Sequence, residues 1–148
     1  MLIGSFSHSV DAKGRMFIPA KWREDLGNTI IVTRGILSGS SARCLFGMSV
    51  EAWKEFAARF SALPETDVMG QAFRRMMFSN AADCEMDKQG RILVPNGLRE
   101  YADLSKDVTL VGVDNRIEIW NAQALTQHDQ EMEAEYQAAL DRLAQMGV

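Results

Sequence analysis

The chain has 148 residues, of which 24% are charged, and its formal net charge is −4. This length suits one domain or two small halves packed together. No apolar run approaches the roughly 18 residues that a membrane span needs, and the first residues lack the basic and apolar segments of a signal peptide. We therefore expect a cytoplasmic protein with no membrane partner. Cys44 and Cys84 each stand alone in an apolar setting, which predicts buried thiols and neither a metal site nor a disulfide.

A segment of fourteen residues occurs twice in the chain. It runs as DAKGRMFIPAKWRE from Asp11 to Glu24 and returns as DKQGRILVPNGLRE from Asp87 to Glu100. Six of the fourteen positions are identical, and four more exchange one apolar residue for another. The identical residues are turn formers and charges, whereas the exchanged ones have the character of core positions. This pattern indicates a duplicated supersecondary unit.

The identical residues predict a tight hairpin turn in each copy. An aspartate followed three residues later by a glycine suits a turn in which the carboxylate caps backbone N–H groups and the glycine takes a positive φ. The strand after each turn ends at a proline, which cannot donate to a sheet but can begin a helix. The other predicted elements are, in chain order, a strand at 15–18, a short helix at 20–26 closed by Gly27, strands at 29–33 and 43–46, helices opened by Ser49 and by Pro64 with Thr66, a strand at 91–94, a short helix at 96–104, strands at 108–113 and 116–120, and a helix from Asn121 to about Gln145.

Each half therefore has the predicted order strand, turn, strand, short helix, strand, turn, strand. We expect an α+β fold that is mainly β. The predicted divisions are a first domain at 1–54, linking helices at 55–80, a second domain at 81–124 and a C-terminal acidic helix at 125–148.

The negative net charge conceals two basic repeats. Residues 121–148 hold five acidic residues and one arginine, so that residues 1–120 are neutral overall. Residues 11–25 hold four basic and three acidic residues, and residues 87–100 hold three basic and two acidic residues. A polyanion would therefore be bound weakly by one copy and tightly only by several copies acting together.

Four basic side chains lie at or just past the two turns: Lys13, Arg15, Lys88 and Arg91. Guanidinium groups on a protruding ribbon can pair with phosphate or with guanine in the major groove of DNA. The alternative is a turn with solvated charges, in which the arginine only pairs with the aspartate. Duplication favours a repeated polyanion such as double-stranded DNA as the partner. Asp11 and Asp87 are expected to hold the turns and orient the arginines, because phosphate repels an exposed carboxylate.

The two copies differ in their lysines. Gln89 stands where the first copy has Lys13, and Lys88 lies one position earlier in the repeat, so the two lysines would point to different sides of the turn. Arg23 and Arg99 in the short helices could contact the DNA backbone, or could form surface ion pairs with the glutamate that follows each of them.

The motif D-x-K-G-R with a proline four residues later, present as DAKGRMFIP and repeated as DKQGRILVP, resembles the MraZ family of bacterial transcriptional regulators. The resemblance covers almost the whole chain, including LVGVDNRIEIW in the second half and the linking helices. It implies two AbrB-like halves of the double-split, swapped-hairpin β-barrel type, joined by linking helices and followed by a C-terminal helix.

The resemblance also implies a function. A protein of this kind binds double-stranded DNA at short direct repeats upstream of its own cell-division and cell-wall gene cluster, as a ring-shaped homo-oligomer associated with the nucleoid. Carried onto this sequence, the motif residues that contact DNA are Asp11, Arg15, Asp87 and Arg91, with Lys13 as a phosphate partner. Because Gln89 replaces the motif lysine, the second half is expected to bind more weakly or to serve assembly.

A ring needs head-to-tail surfaces on every subunit. Trp53, Phe60 and Phe73 on the linking helices are expected to be exposed and are the candidates for that contact. The acidic C-terminal helix would instead suit an alternative function, an oligomeric scaffold or antitoxin-like module that binds protein. An enzyme is not indicated, because His8 and His128 have no paired nucleophile or carboxylate and no phosphate-binding loop occurs. No catalytic residue, cofactor or small-molecule substrate is expected.

Overall fold

The structure is a computed structural model that describes residues 1–37 and 40–148. The first half contains β1 (Ser5–Ser9), β2 (Arg15–Phe17), a 3-10 turn (Ala20–Trp22) continuing into α1 (Arg23–Leu26), β3 (Thr29–Arg34), β4 (Leu45–Met48), α2 (Val50–Ser61) and α3 (Val68–Ser79). The second half contains β5 (Ala82–Glu85), β6 (Arg91–Leu93), α4 (Asn96–Tyr101), β7 (Asp107–Val113), β8 (Arg116–Asn121), α5 (Ala122–Glu133) and α6 (Tyr136–Gln145). Within the described residues, no helix is both long and apolar enough to cross a membrane.

The two halves exchange strands in one antiparallel sheet of six strands, in the order β1, β7, β8, β4, β3, β5. The first strand of each half pairs with the third strand of the other half, so that β1 lies against β7 and β5 lies against β3. The second strands, β2 and β6, pair with each other in a separate two-stranded ribbon. The order reads the same when the halves are exchanged, which indicates a pseudo-twofold axis between β8 and β4. The expected swapped-hairpin arrangement is confirmed.

The expected α+β class is also confirmed, although helix rather than strand accounts for more residues. The expectation of closed barrels is corrected, because among the described residues the six-stranded sheet is open, with β1 and β5 at its edges. Because the first strand of each half pairs with the third strand of the other half, buried residues of both halves belong to one hydrophobic core.

Most apolar positions exchanged between the repeats lie in that core. Met16 and Ile92 are register partners across the β2–β6 ribbon, and each is only 1% exposed. Phe17 and Leu93 contradict the expectation that all such positions are buried, because they are 45% and 55% exposed. Successive side chains of a strand point to opposite faces, so a three-residue ribbon with a buried central residue must direct its outer residues away from the core.

A second, smaller cluster of buried residues lies beneath α2 and α3. Trp53 and Phe60, which we expected to be exposed, are half-buried because both rings pack against Phe56, at centroid distances of 5.9 and 5.2 Å. Phe73 is exposed as expected, at 39%. Trp53 and Phe60 therefore contribute to the fold of the protomer and present little surface to a partner.

The helix caps follow the sequence in two cases out of three. Ser49 and Asn121 cap α2 and α5, each accepting a backbone N–H three residues later. Asp67 caps α3, so the prediction that Pro64 and Thr66 open this helix is wrong; a carboxylate directly before the first turn reaches the unpaired N–H groups. The helix predicted as continuous to about residue 145 is broken at 134–135 into α5 and α6.

The duplication extends to these helices. After β8, α5 and α6 occupy the same places in chain order that α2 and α3 occupy after β4. α2 packs on β3 and β4, whereas α5 packs on β7 and β8, the corresponding strands of the other half. Each half is thus four strands, one short helix and two longer helices, and α3 and α6 are equivalent elements.

The two cysteines are buried free thiols, as predicted. Burial raises the pKa of Cys44 to about 12 and that of Cys84 to about 11. Both thiols therefore remain protonated near neutral pH and are poor nucleophiles. No group of three His, Cys, Asp or Glu side chains in the described residues is placed to hold a metal ion.

Candidate nucleic-acid interface

A single aspartate side chain holds the first turn. Oδ1 of Asp11 accepts the backbone N–H groups of Lys13 and Arg15, each at 2.9 Å, and Oδ2 accepts Nε–H of Arg15 at 2.7 Å. Gly14 has φ of 86°, and its N–H donates to the carbonyl of Asp11 at 3.0 Å. The predicted aspartate-capped turn with an oriented arginine is confirmed.

The second turn repeats this geometry. Oδ1 of Asp87 accepts the N–H groups of Gln89 and Arg91, and Oδ2 accepts Nε–H of Arg91, all at 2.9 Å. Gly90 has φ of 81°. In both turns the backbone N–H of the arginine is the main cause that lowers the pKa of the aspartate, and the guanidinium lowers it further. Both carboxylates are therefore ionised at neutral pH and are engaged within their own turns.

Each turn is completed by the other half of the chain. The carbonyl of each turn glycine accepts a backbone N–H from the other repeat, at 2.9 Å for Gly90 and 3.2 Å for Gly14. Arg99 lies directly against Gly14, and Arg23 lies directly against Gly90, so that a Cβ on either glycine would collide with the guanidinium. The positive φ favours glycine at both positions, and a Cβ would in addition displace the guanidinium that packs there.

Arg23 and Arg99 form a third kind of contact, which was not considered from the sequence. Nε–H of Arg23 donates to a backbone carbonyl of its own repeat at 3.0 Å, and Nε–H of Arg99 does the same at 2.9 Å. Neither arginine forms an ion pair with the glutamate that follows it in the described part of the chain. Each one fixes its guanidinium against the turn of the opposite half.

The ribbon places the two turn arginines on one surface. Arg15 lies opposite Leu93, and Phe17 lies opposite Arg91. The central residue of each strand is buried, so these four side chains share the outer side, which we call the ribbon face. Diagonal neighbours in such a pair are about 7–8 Å apart. The side chains of Arg15 and Arg91 are 31% and 21% exposed, and their Nη nitrogens make no hydrogen bond within the described residues.

Of the six residues predicted from the sequence, the structure places Arg15 and Arg91 on the ribbon face. The other four, Asp11, Lys13, Asp87 and Lys88, lie in the turns that lead into the two ribbon strands. The side chains of both lysines are exposed, and only the backbone N–H of Lys13 takes part in the hydrogen bonds that hold its turn. The guanidinium of Arg91 lies over the ring of Phe17, 5.9 Å from its centroid. The ribbon face therefore combines two exposed apolar side chains, Phe17 and Leu93, with the two turn arginines.

Two members of this surface, and one set of contacts beside it, were not identified from the sequence. Phe17 and Leu93 were assigned to the core, and the packing of Arg23 and Arg99 against the opposite turns was not considered. A signal for the arginines was present, since they recur at the same position of both repeats. Their contacts cross between halves separated by about 76 residues in sequence, which no local pattern reveals.

The fold and this surface define a class: an α+β protein of two interleaved swapped-hairpin repeats, each presenting an aspartate-held arginine turn on a common face. A family model described as "MraZ protein, putative antitoxin-like" matches residues 1–76 and again residues 77–146. The first match contains β1 to β4 and the helices up to the last turn of α3, and the second contains β5 to β8 with α4, α5 and α6. The chain belongs to the MraZ family.

Curated relatives resemble the chain over its full length. "Transcriptional regulator MraZ" of Carboxydothermus hydrogenoformans is 44% identical over 143 residues, which is 97% of this chain and 96% of the relative. The proteins of the same name from Desulfitobacterium hafniense and Acetivibrio thermocellus are 42% and 44% identical, and each alignment covers 100% of both chains.

Proposed function

We propose that this protein is a DNA-binding transcriptional regulator and that the ribbon face is its contact with the duplex. The observation that carries the proposal is the placement of Arg15 and Arg91 on one face, with Nη groups that make no hydrogen bond within the described residues. A guanidinium pairs bidentately with phosphate or with guanine O6 and N7. The major groove also admits a two-stranded β-ribbon. The printed names of the relatives support the same function.

Within this proposal the six predicted residues have different roles. Arg15 and Arg91 are the direct contacts, and Lys13 and Lys88 bind phosphate from the turn tips. Asp11 and Asp87 act indirectly, since each uses both carboxylate oxygens to fix the turn and the Nε–H of its arginine. Fixing Nε–H leaves the Nη edge of each guanidinium directed toward a partner.

The proposed target is double-stranded DNA with short direct repeats upstream of the protein's own cell-division and cell-wall gene cluster. One protomer offers two arginines and two lysines at this surface, so a single repeat would be bound weakly. A homo-oligomeric ring that presents several ribbon faces would raise the avidity by about 10² to 10⁴. Such a regulator would act in the cytoplasm, in association with the nucleoid.

Footprinting on the DNA upstream of the protein's own gene, with a salt titration, tests the proposal. We expect protection of regularly spaced repeats and a linear fall of log K with log salt concentration, with a slope of about −0.9 for each phosphate contacted. The double variant Arg15→Ala/Arg91→Ala should remove the protection. Equal protection by this variant and by the parent protein would disprove the assignment of the ribbon face.

The second candidate is an antitoxin-like or scaffold protein whose main partner is another protein. Two observations favour it: the printed description of the family model and the exposed apolar side chains on α3 and α6. Salt separates the two candidates, because binding through phosphate weakens steeply with salt. A partner that stays bound at high salt and is unaffected by the double arginine substitution would favour the protein-binding function.

A further inference from the structure

Two adjoining cavities lie beside α2, near the turn that joins β7 to β8. Their walls share Phe56 and Arg59 of α2 and Arg116 of β8. Their volumes are about 270 and 430 Å³, and ligand pockets in proteins typically measure about 300–1,000 Å³. We call the two cavities together the arginine cleft. Neither β2 nor β6, which form the ribbon face, contributes a described residue to its walls.

Aromatic rings hold both arginines of the cleft. Cζ of Arg116 lies 4.2 Å from the centroid of the Phe46 ring, and Cζ of Arg59 lies 4.7 Å from that of the Phe56 ring. These distances allow a favourable cation–π contact in each pair. The two rings pack edge to face, with their centroids 6.2 Å apart. Two guanidinium groups are therefore fixed on neighbouring rings in the wall of one cleft.

No acidic side chain neutralises these two arginines within the described residues, since neither of them forms an ion pair there. Glu55 lines the smaller cavity without pairing with either guanidinium. Glu118, two residues after Arg116, accepts Nε1–H of Trp120 at 2.9 Å. Nε of Arg116 is buried and makes no hydrogen bond in this part of the chain. A buried donor without an acceptor costs free energy, which a bound anion beside the guanidinium would offset.

The second half has an equivalent cavity with different chemistry. Counted from the residues that cap α2 and α5, His128 takes the position of Phe56. Glu131 likewise takes the position of Arg59. Both line a cavity of about 170 Å³ beside α5, and its described walls contain no arginine. The duplication therefore kept a cavity beside the corresponding helix of each half, and the cavity of the first half is the basic one.

We infer that the arginine cleft binds a small organic anion, which is a phosphate ester or a carboxylate that carries a flat apolar group. Arg59 and Arg116 would bind the oxyanion, because guanidinium groups pair with phosphate and with carboxylate in the same bidentate way. The apolar group would pack against Phe60 and Phe73, which line the larger cavity. Phe73 is 39% exposed, so a ligand can cover it.

Other ligands fit the cleft less well. Two guanidinium groups repel a cation, and a neutral apolar molecule would leave both charges without a partner. The inference does not depend on the proposed function, because the cleft and the ribbon face share no strand or helix. Its test needs no DNA, so either one can fail alone.

The test uses phenyl phosphate and benzoate as probes of the full-length protein. They share a ring and differ in the oxyanion. Isothermal titration calorimetry should show saturable binding of at least one of them. That probe should bind at least about tenfold more tightly than its ringless counterpart, inorganic phosphate or acetate, because the ring buries apolar surface. The tighter of the two probes identifies the oxyanion that the cleft prefers.

Variants of the two arginines locate the site. Arg59→Gln should weaken binding of the probe at least about tenfold, because a charge-assisted hydrogen bond is lost. Arg59 is exposed, so folding should survive this change, which circular dichroism checks. Arg116→Gln should act in the same direction. The matched control is Arg142→Gln, which removes one positive charge from exposed α6 and should bind the probe like the parent.

The duplicated cavity supplies an internal control for NMR. Ala52 lines the cleft, and Ala124, at the equivalent position of α5, lines the cavity of the second half. The ring of the bound probe should shift the methyl signals of Ala52 and Met48 and leave that of Ala124 in place. The inference is overturned if neither probe binds saturably at millimolar concentration, or if Arg59→Gln binds like the parent. Equal shifts at the two alanines, or equal affinity for the ringless anion, would overturn it as well.

Discussion

The two turns have the same backbone and different side chains around it. In both, one aspartate accepts two N–H groups and the Nε–H of an arginine at 2.7 to 2.9 Å. The first turn adds Lys13, whereas the second has Gln89 at that position and places Lys88 one residue earlier. The guanidinium of Arg91 also packs over the aromatic ring of Phe17, and Arg15 faces Leu93, which has no ring. The duplication therefore preserved the framework and let the contacts diverge.

The comparison also shows that neither turn belongs to one half alone. Arg99 from the second half lies against Gly14 of the first turn, and Arg23 from the first half lies against Gly90 of the second. A substitution at either arginine should therefore alter the turn of the opposite half.

Removal of the arginines is expected to have the largest effect on DNA binding. Arg15→Ala and Arg91→Ala should each weaken specific binding by about 10- to 100-fold, which corresponds to about 1–3 kcal/mol per base or phosphate contact. Arg15→Ala should weaken DNA binding more than Arg91→Ala does, because the first turn also holds the motif lysine. Fluorescence anisotropy with the upstream repeats measures both, and Arg142→Ala on exposed α6 is the matched control. A larger loss from Arg91→Ala would show that the second turn is the dominant one.

Substitution of the turn glycines tests whether the halves complete each other. Gly14→Ala and Gly90→Ala should each destabilise the fold by about 1–3 kcal/mol, because alanine is strained at positive φ and its Cβ meets a guanidinium. In double-mutant cycles by chemical unfolding, Gly14→Ala should couple to Arg99→Ala by at least about 0.5 kcal/mol. The same-half pair Gly14→Ala with Arg23→Ala should be additive. Coupling within one half and not across the halves would contradict the crossed packing.

Exchange of the turn lysine should make the two turns more alike. Gln89→Lys should strengthen DNA binding a few-fold and steepen the salt slope by about 0.9, the value for one added phosphate contact. Lys13→Gln should have the opposite effect on both quantities. DNA affinity measured at several salt concentrations checks this. A salt slope that is unchanged in both variants would show that the side chain at the position of Lys13 and Gln89 does not contact phosphate.

Low pH should destabilise both turns together, and we expect this effect to be smaller than those of the arginine, glycine and lysine substitutions. The folded pKa values of Asp11 and Asp87 are lowered by the N–H groups that they accept, so the unfolded chain binds protons more readily than the folded one. Stability from these carboxylates is complete above the unfolded pKa of about 3.9 and is lost as the pH falls through the lower folded pKa. Carboxyl NMR titration should show both aspartates titrating below this value. A normal or raised pKa at either aspartate would contradict the turn geometry.

The sequence predicted the features that depend on a few consecutive residues. An aspartate, a glycine and an arginine within five positions predicted the turns, because the hydrogen bonds close inside that segment. Ser49 and Asn121 were identified as caps for the same reason. The prediction failed at Phe17 and Leu93, since a repeat of apolar type does not reveal which side of a short strand faces the core. It also failed at Trp53 and Phe60, whose burial depends on how the helices after β4 pack.

The amino-acid sequence by itself determined that this chain is a tandem duplication and that each copy builds an arginine turn held by aspartate. Only the tertiary structure decided that the copies exchange strands, that Arg15 and Arg91 share the ribbon face, and that an arginine of each half closes the turn of the other. The physical reason is the separation along the chain of the residues that interact. A turn is stabilised by hydrogen bonds between neighbouring residues, whereas strand exchange and the crossed arginine contacts depend on the burial of one core that residues far apart in the chain build together.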